Sequence, residues 1–217
     1  ASPFREGWEE LRKTFLRDID RLGVEVHLKS EYKPSKDAGE LPDAIIVAVG
    51  SSPGRPKIPG NSNKNVFVAR DLLEGAEKAK GEVVMVGGGC AGAQTAEFLA
   101  TRGHAVTIVE QASTIAHDAP MDDRVLLMRR LDQLGVKIET NTKVMTIDPR
   151  SVAVENSAGA RAIPAGTVVL CLGSHSNDGL ADELKKLVSN TVVVGDAVSP
   201  RRVTDAILEG ALAALAI

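Results

Sequence analysis

An α/β fold built on a parallel sheet is what this sequence predicts, and three features carry the prediction. Residues 82–110, EVVMVGGGCAGAQTAEFLATRGHAVTIVE, read as a strand, a glycine-rich turn, a helix and a second strand; a crossover helix of this kind makes the two strands parallel. Val83 to Val86 form an unbroken apolar run, the pattern of a strand covered on both faces. An order of helix, strand, meander and buried strand then occurs twice: DRLGVEV at 20–26 matches DQLGVKI at 132–138, and IIVAVGS at 45–51 matches VVLCLGS at 168–174.

The elements follow in order. Residues 8–22 are an amphipathic helix, because Trp8, Leu11, Phe15 and Ile19 recur every three or four positions with charges between them. Gly23 ends it, and residues 24–28 alternate as a strand. After a polar stretch (33–42) comes a buried strand at 44–49, which ends in Gly50, Ser51, Ser52 and Pro53. GRPKIPG at 54–60 is a proline-rich crossing segment and a domain boundary. A short strand at 66–69 and a polar helix at 71–80 lead into the glycine turn.

Within that turn Gly87, Gly89 and Gly92 supply G-x-G-x-x-G. One glycine serves the tight turn, one lets the backbone approach a pyrophosphate, and one lets helix and strand pack closely. The helix N-terminus brings backbone N–H groups and a partial positive charge, which suit a pyrophosphate. Ala93, Ala96 and Ala100 would face the sheet, and Gly103 closes the helix. Glu110 ends the next strand, where a ribose-binding carboxylate belongs about twenty residues beyond the loop. The candidate dinucleotide site is therefore Gly87, Gly88, Gly89, Cys90, Ala91 and Gly92, with Glu110 and, at the end of a later strand, Gly173.

Beyond Glu110, a loop (111–120) precedes a helix at 121–134 with Val125, Met128 and Leu131 on one face, and a strand at 136–139. Short strands at 143–147, 151–155 and 160–163 form a meander, with a turn at Asn156-Ser157-Ala158-Gly159. A buried strand (167–172), a helix (180–187), a strand (191–194) and a closing helix (202–215) complete the chain.

Composition excludes several classes. Net charge is −3 over 217 residues, and acids and bases are interspersed with few aromatic residues, so nothing indicates nucleic acid. No apolar segment reaches membrane-spanning length. Cys90 and Cys171 are far apart in sequence and form no C-x-x-C, which favours two reduced, buried thiols in a cytoplasmic protein over a disulfide or metal site. His27, His104, His117 and His175 show no metal spacing. The N-terminus, ASPFREGWEE, has neither an initiator Met nor a signal-peptide pattern. Since only the second copy of the repeat is preceded by a strand–glycine turn–helix–strand unit, the first copy's own unit is expected upstream of Ala1.

Two nucleotide-binding folds, the second inserted into the first, resemble the plan of the FAD- and NAD(P)-dependent reductases related to glutathione reductase. AVGSSP at 48–53 followed by PKIPG at 56–60 resembles that family's A-T-G-x-x-P…P-x-I-P-G connection, with Val49 where Thr is usual. VGDA at 194–197 resembles its G-D motif, whose Asp bonds the FAD ribityl chain; the resemblance thus gives Gly195 and Asp196 a flavin role. Gln94 stands where the family often has Glu, so the resemblance makes it a site residue that hydrogen-bonds the nicotinamide ribose without the charge. More narrowly, SPFREGWEELRKTF near the start and VGDAVSPRRVTDAILEGALAA near the end look like the C-terminal region of old-yellow-enzyme fusions such as dienoyl-CoA reductase, trimethylamine dehydrogenase and NADH:flavin oxidoreductases. In those proteins a flavin-bearing barrel and an iron–sulfur segment come first.

The resemblance implies a Rossmann-like FAD/NAD(P)-binding domain with a β-meander (residues 62–173, NAD(H)) inserted in an incomplete second copy (1–61 and 174–217, the remnant of an FAD-binding domain). It implies an oxidoreductase that passes hydride from NADH to FAD in the full-length enzyme, NADH being preferred over NADPH. The chain alone is expected to lack FAD and turnover, and its exposed sheet edge to favour a homodimer. A second class stays open, a non-catalytic adenine-nucleotide-binding or scaffold domain, since this region of trimethylamine dehydrogenase holds ADP.

Overall fold

The computed structural model describes residues 6–34, 41–73 and 78–217. In chain order the elements are α1 (Glu6–Arg21), β1 (Ile45–Val47), β2 (Ser51–Pro53), β3 (Val66–Val68), α2 (Ala69–Leu73), β4 (Val83–Val86), α3 (Cys90–Ala100) and β5 (Val106–Val109). There follow α4 (Met121–Gln133), β6 (Lys137–Glu139), β7 (Lys143–Ile147), β8 (Ser151–Asn156), β9 (Gly159–Pro164), β10 (Thr167–Leu170), β11 (Ser174–Ser176), α5 (Gly179–Leu187), β12 (Thr191–Val193), a 3-10 turn (Gly195–Ala197) and α6 (Val203–Ala216). They fall into two compact units, Ala1–Leu16 with Arg55–Leu172 and Arg17–Gly54 with Gly173–Ile217.

The first unit is a Rossmann-like α/β domain. Its five-stranded sheet has the order β3-β10-β4-β5-β6, every pair parallel. Alternation along the strands separates two cores. Val83 and Met85 of β4 and Val169 of β10 pack with Ala93, Ala96 and Leu99 of α3 and Leu127 and Leu131 of α4. Val84, Val86, Val168 and Leu170 point the other way, onto Ile147, Val152 and Val154 of the antiparallel β7-β8-β9 meander. Because both faces are covered, β4 and β10 are buried throughout, which is why β4 reads as an unbroken apolar run. The alanines of α3 let that helix lie close on the sheet. The meander turn forms as read: Asn156 pairs with Gly159, and the Ala158 N–H donates to the Asn156 side chain.

The second unit is thinner. β1 and β12 make a two-stranded parallel sheet, β2 and β11 an antiparallel pair, and Val47, Ala181 and Leu184 form the small buried core.

Several expectations need correction. Residues 24–28 form no strand: Val24, Val26 and Leu28 are 54%, 56% and 81% exposed and no ladder reaches them, so their alternation has no sheet to face. The strand expected to be buried at 44–49 shrinks to β1, where only Val47 is buried and Ile46 and Val49 are exposed. Ser51 to Pro53, read as a strand end, pair instead with Ser174 to Ser176. On α4 the inward positions are Leu127 and Leu131, whereas Val125 is 61% exposed. The helix expected at 71–80 is described only as α2, and residues 74–77 lie outside the described residues.

Candidate dinucleotide site

The site begins where β4 ends. The Gly87 N–H donates to Val109 O and the Cys171 N–H to Val86 O, so the parallel ladder holds on both sides of the turn. Gly87 has φ +101°, and a β-carbon there would lie 2.3 Å from Cys171 O, so the tight turn requires glycine. At Gly92 a β-carbon would lie 2.2 Å from Gly87 O, which enforces the close packing of helix on strand. Gly89 differs. It caps α3 with ordinary φ (−58°), offers no side-chain acceptor, and a β-carbon there would meet only the Asp118 carboxylate, at 3.7 Å. Gly87 thus serves the turn and Gly92 the packing of helix on strand, while Gly89 stands open.

Sequence reasoning missed the reason for Gly88, where a β-carbon would lie 2.6 Å from Ile115 Cγ2 and 3.1 Å from Glu110 Cβ. The loop after β5 packs onto the turn at this point. It also missed Asp118, whose Oδ1 accepts from the Cys90 N–H at 2.7 Å. A signal existed: the N-cap of α3, Gly89, has no side chain, and the adjoining 111–120 loop holds an acid.

Glu110 stands against the turn. Its backbone is held on both sides, N–H to Glu139 O and O from the Thr142 N–H, which extends the β5–β6 edge by one residue. Its Oε2 accepts from the Gly88 N–H (2.6 Å) and its Oε1 from the Ala112 N–H (2.7 Å). A carboxylate offers about four lone-pair directions, so acceptor capacity remains for a ligand hydroxyl. Gln94, one turn into α3, donates from Nε2 to Cys90 Sγ (3.0 Å).

The two cysteines form no disulfide and are half-buried, not buried as expected. Burial pushes the Cys171 thiol up to about 11, with Asp118 and Cys90 adding to the rise.

The remaining predicted residues belong to the second unit. Gly173 has φ +77° and its carbonyl accepts from the Gly54 N–H. Asp196 accepts from Ser51 Oγ and from the Arg201 N–H, both at 3.1 Å. The Gly195 N–H donates to Glu209 (2.7 Å), which also takes Arg201 Nη2 at 2.5 Å. The Gly195 N–H first, and then Arg201, hold the Glu209 carboxyl below the usual carboxylate range. Arg201 is thus engaged with Glu209. Among the described residues no group of His, Cys, Asp and Glu could hold a metal, and no helix is long and apolar enough to cross a membrane.

Comparison with known proteins places this geometry in a family. The family described as pyridine nucleotide-disulphide oxidoreductase matches residues 16–199. An NADH oxidase of Thermoanaerobacter brockii is 36% identical over 220 residues, covering 97% of this chain and 33% of that protein. A bilirubin reductase of Mediterraneibacter gnavus is 35% identical over 160 residues, 74% of this chain and 25% of the relative. A solved 2-naphthoyl-CoA reductase in complex with 2-naphthoyl-CoA superposes with a TM-score of 0.95 at 31% identity, over 100% of this chain and 33% of its own. The chain therefore spans about a third or less of the length of these relatives.

Proposed function

The chain belongs to the pyridine nucleotide-disulphide oxidoreductase family, and from that premise we propose that it is the pyridine-nucleotide-binding portion of an NADH-dependent flavoprotein oxidoreductase of the old-yellow-enzyme-like type. The observation that carries the reading is the head of α3, where Gly89 is open to all but one carboxylate while Glu110 stands on the same turn. Residues 62–173 bind NAD(H). Residues 1–61 and 174–217 contribute to an FAD-binding domain, which a further unit of the same longer polypeptide completes; relatives of which this chain covers a third support that division. A flavin-bearing barrel belongs to the same polypeptide.

When bound, NADH supplies the hydride and the flavin accepts it, so no acid, base or nucleophile of the chain is required. The chain binds and orients. Gly89 leaves room for the pyrophosphate against the N-terminus of α3. Glu110 accepts the ribose 2′-hydroxyl with its unused lone pairs, and Gln94 offers an uncharged hydrogen-bonding group to the nicotinamide ribose. Gly195 and Asp196 serve the flavin ribityl chain.

Glu110 also sets nucleotide choice, because a carboxylate accepts from a 2′-hydroxyl and repels a 2′-phosphate. Calorimetric titration should show NADH binding tighter than NADPH by roughly tenfold or more. Equal or tighter NADPH binding would remove Glu110 from the ribose; no binding of either would remove the reading. The second reading, a non-catalytic adenine-nucleotide domain, is favoured by the uncharged Gln94 turned onto Cys90. ADP binding as tightly as NADH in the same titration would select it.

A further inference from the structure

The 111–120 segment between β5 and α4 is strapped onto the glycine turn. Ile115 and Ala116 are fully buried, the Ala116 N–H donates to Gly88 O at 2.6 Å, and Arg124 Nε donates to Ile115 O at 3.1 Å. Ala116 adopts φ +49°, and the Ala119 N–H closes a turn onto Ala116 O. His117 and Asp118, at the crest of that turn, are exposed. The strap thus fixes its base and presents Asp118 over the head of α3. There Asp118 Oδ1 accepts from the Cys90 N–H at 2.7 Å, and both carboxylate oxygens lie 3.7 Å from where a Gly89 β-carbon would stand.

This is the space that the dinucleotide reading gives to a pyrophosphate, and two anions cannot share one donor at hydrogen-bond range without strong repulsion. Resting on that reading, we propose that Asp118 is a resident anion: its carboxylate occupies the pyrophosphate position at the head of α3, and a dinucleotide binds by displacing it. Asp118 then sets the affinity of the site for pyrophosphate-bearing ligands specifically. The strap is held at its base through Ile115 and Ala116, so displacement moves the Asp118 side chain off the Cys90 N–H while the base stays in place. A carboxylate that merely capped the helix would lose fold stability on removal and leave ligand affinity unchanged.

The test is a titration of the chain, of Asp118→Ala and of Asp118→Asn with NADH, ADP and adenosine, each protein first checked for cooperative thermal unfolding. Asp118→Ala should tighten NADH and ADP by about tenfold, the size of one charge-assisted hydrogen bond. Asp118→Asn should tighten them less, since its amide oxygen still accepts from Cys90 without the charge. Adenosine, which lacks a pyrophosphate, should bind all three alike. If Asp118→Ala does not fold, Asp118→Asn decides. Unchanged or weaker NADH and ADP binding in a folded variant overturns the proposal and leaves the dinucleotide reading standing, as does equal tightening of all three ligands. No binding of any ligand to any form overturns both.

Discussion

At the scale of single residues, chemistry divides the glycine turn. Gly87 and Gly92 are excluded from carrying a side chain by backbone oxygens 2.3 and 2.2 Å away, and Gly88 by a buried isoleucine. The first two roles were legible, because spacing within one βαβ unit implies them. The third was not, because Ile115 reaches Gly88 from a loop with no periodicity of its own. Cys171 shows the same limit: its place in an apolar run suggested full burial, whereas it is half-buried and lies near the Asp118 charge. Its pKa of about 11 has a testable sign. Below the unfolded value of 9.0 the thiol is protonated in both states; between 9.0 and about 11 the unfolded chain releases the proton and the folded one keeps it, so this contribution to stability declines as pH rises. At pH 8 iodoacetamide should leave Cys171 unmodified in the folded protein, with its rate climbing toward pH 11. Rapid alkylation of Cys171 at pH 8, read by peptide mass, would contradict this.

At the scale of elements, α3 and α4 are joined by a contact that no pattern disclosed. Glu97 of α3 is fully buried, Arg130 Nε of α4 donates to its Oε1, and its Oε2 has no hydrogen-bond partner. Burial of α3 on nearly all sides brings this acid inside. Removing only the cation would strand a buried charge. Arg130→Met should therefore cost about 3–5 kcal/mol in chemical denaturation, whereas Arg130→Met with Glu97→Leu should be close to neutral. A cheap single substitution would show that Glu97 does not depend on Arg130 inside the fold. The other misreadings at this scale share one cause. Residues 8–22 and 24–28 carry amphipathic patterns, but Trp8, Phe15, Val24 and Val26 are exposed. A pattern names the face to be covered and is silent on whether a cover is present. Where the packing partner is the next element in the chain, as for β4, α3 and β5, element and burial were both legible.

At the scale of the whole molecule, the chain holds a complete parallel sheet in one unit and two-stranded pieces in the other. A single glycine turn of the G-x-G-x-x-G kind serves this arrangement. On the proposed division a flavin would find Gly195 and Asp196 here but no second pyrophosphate cradle. Those contacts must offset an ordering cost on the order of 4–15 kcal/mol. The purified chain should therefore carry no flavin absorbance and should not oxidise NADH on addition of free FAD; either signal would contradict the division. The central claim, that the head of α3 is a dinucleotide phosphate site, is tested most directly at Gly89, the loop glycine with room for a β-carbon. Calorimetric titration of the chain and of Gly89→Val with NADH should give saturable binding to the first and none to the second, with both unfolding cooperatively. Equal NADH binding by a folded Gly89→Val would place the phosphate elsewhere and contradict the account.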